Sequence, residues 1–202
     1  MIEGTAIHWF RQDLRIKDNP SLESATKYKS FIPIYILDDE NAKEFAMGSA
    51  SRWWLHHSLQ ALNKSLGGNL LFFKGNPEEI FKQLLENHDI SYISWNRCYE
   101  PWRIDRDKKI KKNLEERNIL VESFCGSLLW EPWTISKDDG TPYRAFTPFY
   151  KKGCLNSTEP RLPNDSPSLE NITTDKVKSS SLDSLDLMPK IEWYKGFENE
   201  WS

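Results

Sequence analysis

Three runs of charged and amide side chains each follow a short apolar segment. Arg11, Asp13 and Arg15 come after Ala6–Phe10, Asp38 and Asp39 after Phe31–Leu37, and Asn96, Arg97 and Glu100 after Tyr92–Trp95. If the apolar segments are parallel strands, all three runs lie outside their carboxyl ends, where open α/β sheets bind ligands. The pattern then predicts a polar cleft able to meet an anionic or hydrogen-bonding ligand. The same residues read equally as loop charges held in solvent. Nine tryptophans accompany them. Large amphipathic rings chiefly serve core and interface packing, but Trp102 follows the fourth segment at that edge. It would be solvent-exposed without a partner, which makes it the foremost candidate for stacking on a planar ligand.

Other chemistries lack support. Neither G-x-G-x-x-G nor G-x-x-x-x-G-K-[ST] occurs, so a typical dehydrogenase site or P-loop is not expected. His56 and His57 are adjacent, and on a helix adjacent side chains diverge by about 100° rather than share one metal ion. No serine sits in G-x-S-x-G and no cysteine has a local base. Cys98, Cys125 and Cys154 form neither a disulfide framework nor a zinc pattern and suit a reduced, cytoplasmic setting.

The positioning elements follow from periodicity. Strands are expected at Ala6–Phe10, Phe31–Leu37, Leu70–Lys74, Tyr92–Trp95 and Val121–Phe124, several apolar on consecutive positions as in a sheet covered on both faces. A helix over Ser51–Leu66 would place Trp54, Leu55, Leu59, Leu62 and Leu66 near one stripe and stop at Gly67-Gly68. Asn76-Pro77-Glu78-Glu79 has the cap residue, the proline and the acids of a helix start. A charged helix is expected from about Trp102 to Arg117. Strand and helix alternating about four times predict a doubly wound α/β fold with a five-stranded parallel, Rossmann-like sheet. After Phe149, residues rich in Ser, Pro, Asn and Asp read as an irregular linker or wrapping chain.

The chain's 202 residues suffice for one such domain and an appendage, and 27 basic against 30 acidic residues give no global attraction to nucleic acid or to an anionic membrane. No window approaches the roughly 18 apolar residues of a membrane span.

His8-Trp9-Phe10-Arg11-Gln12-Asp13-Leu14-Arg15 with Asp18-Asn19-Pro20 resembles the opening of the photolyase/cryptochrome family. Gly48-Ser49-Ala50-Ser51-Arg52-Trp53-Trp54-Leu55 is similar to a family helix start, as are Trp95-Asn96-Arg97-Cys98-Tyr99-Glu100-Pro101, Arg106-Asp107 and Phe146-Thr147-Pro148-Phe149 to later blocks. The resemblance implies an α/β domain over residues 4–134 that scaffolds a light-harvesting antenna: a reduced folate, a deazaflavin or FMN. Residues 135–202 would connect to a helical half, outside this chain, that holds FAD, contacts DNA and performs blue-light repair of pyrimidine dimers. By the same resemblance, Arg11, Arg52, Glu100, Trp102 and Arg103 are the antenna-lining positions, and Cys98 falls where deazaflavin binders carry an acid. No catalytic or metal residue is expected here, and the chain alone is not expected to repair DNA. The alternatives are a stand-alone small-ligand module or an inert remnant of a truncated gene. Trp193 and Trp201 should be exposed if they begin a further domain, leaving an apolar surface through which the chain associates.

Overall fold

In the computed structural model, residues 1–201 are described, apart from the side chains of Glu198, Asn199 and Trp201, so the expectation for Trp201 lies outside the described residues. Five strands, β1 (Ile2–Phe10), β2 (Tyr28–Leu37), β3 (Leu71–Lys74), β4 (Ile90–Asn96) and β5 (Leu120–Phe124), form a parallel sheet in the order β3-β2-β1-β4-β5. The helices between the strands are α1 (Pro20–Ala25), α2 (Ser49–Ser65), α3 (Pro77–Asn87) and α4 (Pro101–Glu115).

Two apolar clusters cover the sheet. Leu22 and Ala25 of α1 with Leu55, Leu59 and Leu62 of α2 pack on one face, against Phe10, Phe31 and Tyr35. Ile80, Phe81 and Leu84 of α3 with Ile110 and Leu114 of α4 pack on the other, against Trp9, Ile34, Ile93 and Trp95. The chain therefore winds outward over one face through α1 and α2, crosses back, and winds the other way through α3 and α4. The reversal falls between β1 and β4, which opens a crevice at their carboxyl ends.

Two helix starts share one device. Asn19 and Asn76 each precede a proline, and their side chains accept from Leu22 N and Glu78 N, both at 3.0 Å. Gly67 and Gly68, at φ of 65° and 84°, end α2 in the left-handed region that favours glycine. The helix α1 is not anticipated from periodicity because its six residues are too few to show a repeat. Trp54 departs from its expected place on the buried stripe: it is 69% exposed, while Leu55, Leu59, Leu62 and Leu66 are buried. At about 100° per residue, Trp54 stands roughly 100° away from the centre of that stripe.

Residues 161–187, read from sequence as linker or wrapping chain, wrap. Because β3 begins opposite Ile34, the earlier part of β2 lacks a neighbour on that side. There Phe31 N donates to Asn171 O and Thr173 N to Phe31 O, both at 3.0 Å, so the strap extends the sheet. Farther along, Ser180 N donates to Phe72 O at 2.8 Å and covers the β3 edge, which would otherwise be open to intermolecular pairing. Leu185 and Leu187 are buried in the α1/α2 cluster. Asn171 Nδ2 anchors the strap by donating to Thr26 O at 3.0 Å and Tyr28 O at 2.6 Å. Asn171→Ala is expected to cost about 1–2 kcal/mol. Hydrogen exchange checks this: the amides of Phe31 and Thr173 should lose protection first, and unchanged protection would contradict the anchoring role.

His8 is wholly buried in β1, its Nδ1 3.1 Å from Ser21 Oγ. Burial, opposed by the carboxylate of Asp13 and aided by Arg11, lowers its pKa from 6.5 to about 4. The unfolded chain therefore takes up this proton first. The resulting stability is complete above pH 6.5 and is lost as pH falls toward 4. Unfolding free energy should drop by about 2 kcal/mol between pH 6.5 and 5. The difference in that slope between the wild type and His8→Gln, measured by urea denaturation, should account for the drop; equal slopes would refute it.

Candidate functional site

At the β1/β4 crevice the anticipated polar residues divide: Arg15, Asp39, Arg97 and Glu100 are half-buried, and the rest are enclosed. Arg11, Asp13, Asp38, Asn96 and Arg106 are all buried. They form two braces.

The first holds the loop after β1. Asp13 accepts from Arg11 N at 3.1 Å, from Asn19 Nδ2 at 3.1 Å and from Asn96 Nδ2 at 2.6 Å. Asn96 Nδ2 also donates to Asn19 Oδ1 at 2.8 Å, and Arg15 Nη2 reaches Gly126 O. Much of the first sequence block thus has a structural role: these side chains hold one another, leaving Asn96 Oδ1 without a partner, so that the loop can turn sharply over the sheet edge.

The second brace is ionic. Arg106 on α4 donates through Nη1 to Asp38 at 2.9 Å and through Nη2 and Nε to Asp107 at 2.8 and 3.0 Å. Asp107 also pairs with Arg11, whose other terminal nitrogen donates to Asn96 O. Two guanidiniums and two carboxylates thus tie the ends of β1, β2 and β4 to the first turns of α4. Pairing is what makes their burial tolerable, since a guanidinium cannot shed its proton. Arg11 and Arg106 also lie over indoles: Arg11 at 5.1 Å from the Trp9 ring centre, and Arg106 at 4.8 Å from Trp9 and 5.2 Å from Trp102.

Above this floor opens a cleft of about 1310 Å³, ample for a cofactor-sized ligand. Arg11, Trp102 and Arg103 of the anticipated residues line it. Trp102 is half-buried rather than exposed, because the guanidiniums of Arg103 and Arg106 lie 4.7 and 5.2 Å from its ring centre. Glu100 does not line the cleft but accepts from Gln12 Nε2, which does, at 2.7 Å. Burial pushes the Glu100 carboxyl up, but backbone N–H groups, Arg103 and Gln12 outweigh it and hold it below the ordinary range. Arg52 lies to one side. It pairs with Asp39 at 2.8 Å and lines a separate hollow of about 720 Å³ with His56 and Lys190.

The structure adds residues to the site. Trp54 lines the same cleft and is its most exposed indole, and among its α2 neighbours there are the small Ala50, Ser51, Ser58 and Ala61. Those small side chains leave open space along the helix. Tyr35, on the strand floor, has its phenol pushed far up by burial and stays neutral. The Trp9 Nε1 and Arg11 Nε donors are buried without a partner on residues that line the cleft. Arg15, Lys17 and Arg103 add positive charge at the cleft. The donor set suits an anionic, aromatic ligand: indoles for stacking, cations for its charged part, and orphan donors on the residues beneath. Burial also pushes the Cys98 thiol up, so it presents no anion.

Comparisons with known proteins bear on the fold that carries this cleft. The DNA photolyase family model matches residues 6–168. Deoxyribodipyrimidine photo-lyase of Agrobacterium fabrum is 38% identical over 97% of this chain and 41% of its own length; cryptochrome-2 of Arabidopsis thaliana is 38% identical over 77% of this chain and 26% of its own. A class III photolyase from Agrobacterium tumefaciens superimposes with a TM-score of 0.86 at 37% identity, covering all of this chain and 42% of that one. An archaeal photolyase from Sulfolobus tokodaii, described with two FAD molecules and the implication of a novel light-harvesting cofactor, matches with a TM-score of 0.70 at 25% identity over 92% of this chain and 42% of its own. The chain thus spans about two-fifths of the photolyases it matches. With a family match that runs through the sheet and its helices, and relatives that align over nearly the whole chain, the chain belongs to the DNA photolyase family.

Proposed function

We propose that this chain is the α/β domain that holds an antenna chromophore in a blue-light-driven DNA photolyase. On this reading residues 4–134 form the chromophore-binding body and residues 135–202 the connection. Pyrimidine-dimer repair, the catalytic FAD and DNA contact belong to a helical half outside this chain. The supporting observation is the cleft beside the β1/β4 reversal, with an ionic floor, two accessible indoles and partnerless buried donors. Trp102, Arg103 and Arg11 would hold the chromophore, joined by Trp54. Glu100 acts one step away, through Gln12, while Arg52, paired with Asp39, belongs to the adjoining hollow. When bound, the chromophore supplies absorption and energy transfer; the chain's own residues stack on it, balance its charge and keep water from it.

The expected setting is cytoplasmic. All three cysteines are free, and among the described residues no helix is long and apolar enough to cross a membrane. Phe146, Leu162 and Ile191 are 75%, 84% and 78% exposed, and they are the proposed surface for association. Trp193, 39% exposed, packs on Trp53 with ring centres 6.2 Å apart.

Titrating the purified chain in dim light with a reduced folate, FMN, a deazaflavin and FAD tests the reading. One of the first three should saturate with a shifted absorption band, and Trp54→Ala should weaken it by about tenfold, equivalent to about 1.4 kcal/mol. Saturable FAD binding that Trp54→Ala also weakens would mark FAD itself as the antenna. Failure of all four to bind, or binding indifferent to Trp54, would sink the proposal.

A further inference from the structure

Arg106 is only 6% exposed, yet its side chain reaches the cleft. Each of its three nitrogens is held by a carboxylate: Nη1 by Asp38, and Nη2 and Nε by Asp107. A guanidinium held through all three nitrogens is fixed in its plane and offers its flat faces to neighbouring rings. The rings of Trp9 and Trp102 lie over it, with centres 4.8 and 5.2 Å away. Trp9 is fixed in the core, 1% exposed, against Phe81 and Trp95. Trp102 belongs to the first turn of α4, where no side chain caps the helix.

We infer that Arg106 is the positioning residue of this cleft: its guanidinium, clamped by Asp38 and Asp107, is the platform that sets the plane of Trp102. This deepens the chromophore reading and rests on it. The platform passes the rigidity of the sheet to the stacking surface, since Asp38 directly follows β2 and Arg11, which shares Asp107, directly follows β1. A lysine here would keep the charge but offer no flat face and only one point charge for two carboxylates. Trp102 would then sample several rotamers, and a ligand would have to order it on binding.

The test uses the whole chain labelled with 5-fluorotryptophan, the Trp102 resonance being assigned with Trp102→Phe. The wild type should show one sharp ¹⁹F line for Trp102 without any ligand. Arg106→Lys should split or broaden that line, weaken binding of a reduced folate or FMN at least tenfold, and flatten the induced circular dichroism of the bound probe, while a cooperative thermal transition persists. An unchanged Trp102 line in Arg106→Lys would overturn the inference. If Arg106→Lys does not fold, Asp38→Asn decides: it leaves Arg106 its Asp107 contacts but frees one end, so the Trp102 line must shift or broaden, and an unchanged line overturns the inference equally. Absence of probe binding by the wild type would count against the chromophore reading alone, because the ¹⁹F line reports on the platform without a ligand.

Discussion

Asp107→Ala is expected to destabilise the fold by about 3–5 kcal/mol, the usual cost of removing one partner from a buried ion pair. Asp107 is the carboxylate shared by Arg11 and Arg106, whose side chains are 2% and 4% exposed. Without it, two guanidiniums that cannot deprotonate remain in the interior with Asp38 as the one acid of the ionic brace, and Asp38 reaches Arg106 but not Arg11. Urea unfolding measures the loss as a lower midpoint at unchanged slope. Asp107→Asn keeps an acceptor but not the charge and should fall between. A surface control, Lys112→Ala, should stay within about 0.5 kcal/mol of wild type because its pair with Glu116 is solvent-exposed. If Asp107→Ala unfolds within about 1 kcal/mol of wild type, the ionic brace does not hold these strand ends together.

The other large effect lies across the crevice. A Cβ added at Gly126 would stand 2.3 Å from Asn96 Cγ and 2.6 and 2.7 Å from its amide oxygen and nitrogen. Asn96 is 2% exposed and bound to Asp13 and Asn19, so it cannot swing aside without breaking the first brace. Gly126→Ala should therefore cost about 3 kcal/mol, overpacking added to lost buried hydrogen bonds. A double-mutant cycle separates this from backbone effects. In an Asn96→Ala background the clash is gone, and Gly126→Ala should then cost less than about 1 kcal/mol. Additive losses would show that the close approach between β4 and the loop after β5 is not what requires glycine here.

Fold class and strand placement were legible from the sequence because their signals are local. Consecutive apolar positions mark strands buried on both faces, and Asn-Pro pairs mark helix starts. The same Asn-Pro signal stood at Asn19-Pro20 as at Asn76-Pro77, yet only the second was read as a helix, because the six residues of α1 are too short for a period to show. Placing Trp54 on the buried stripe was an error of angle: proximity in sequence to Leu55 does not put it on the same side of α2.

A doubly wound sheet, the edge where charges gather and the blocks that carry the family resemblance are all readable in the order of residues. Only the tertiary structure decided what those charges do. Arg11 meets Asp107 across 96 positions, Arg106 meets Asp38 across 68, and Asn96 meets Asp13 across 83. Whether a charged residue is solvated, paired or free for a ligand depends on partners that the sheet order brings together, and no local period encodes them. Hence Arg11 stands at the floor of the cleft already paired, Arg52 turns away toward Asp39, and Trp54 stands in the open. Burial in a low-dielectric crevice made pairing obligatory for the charges inside it, and the indoles and cations left at its rim are the groups available to a ligand.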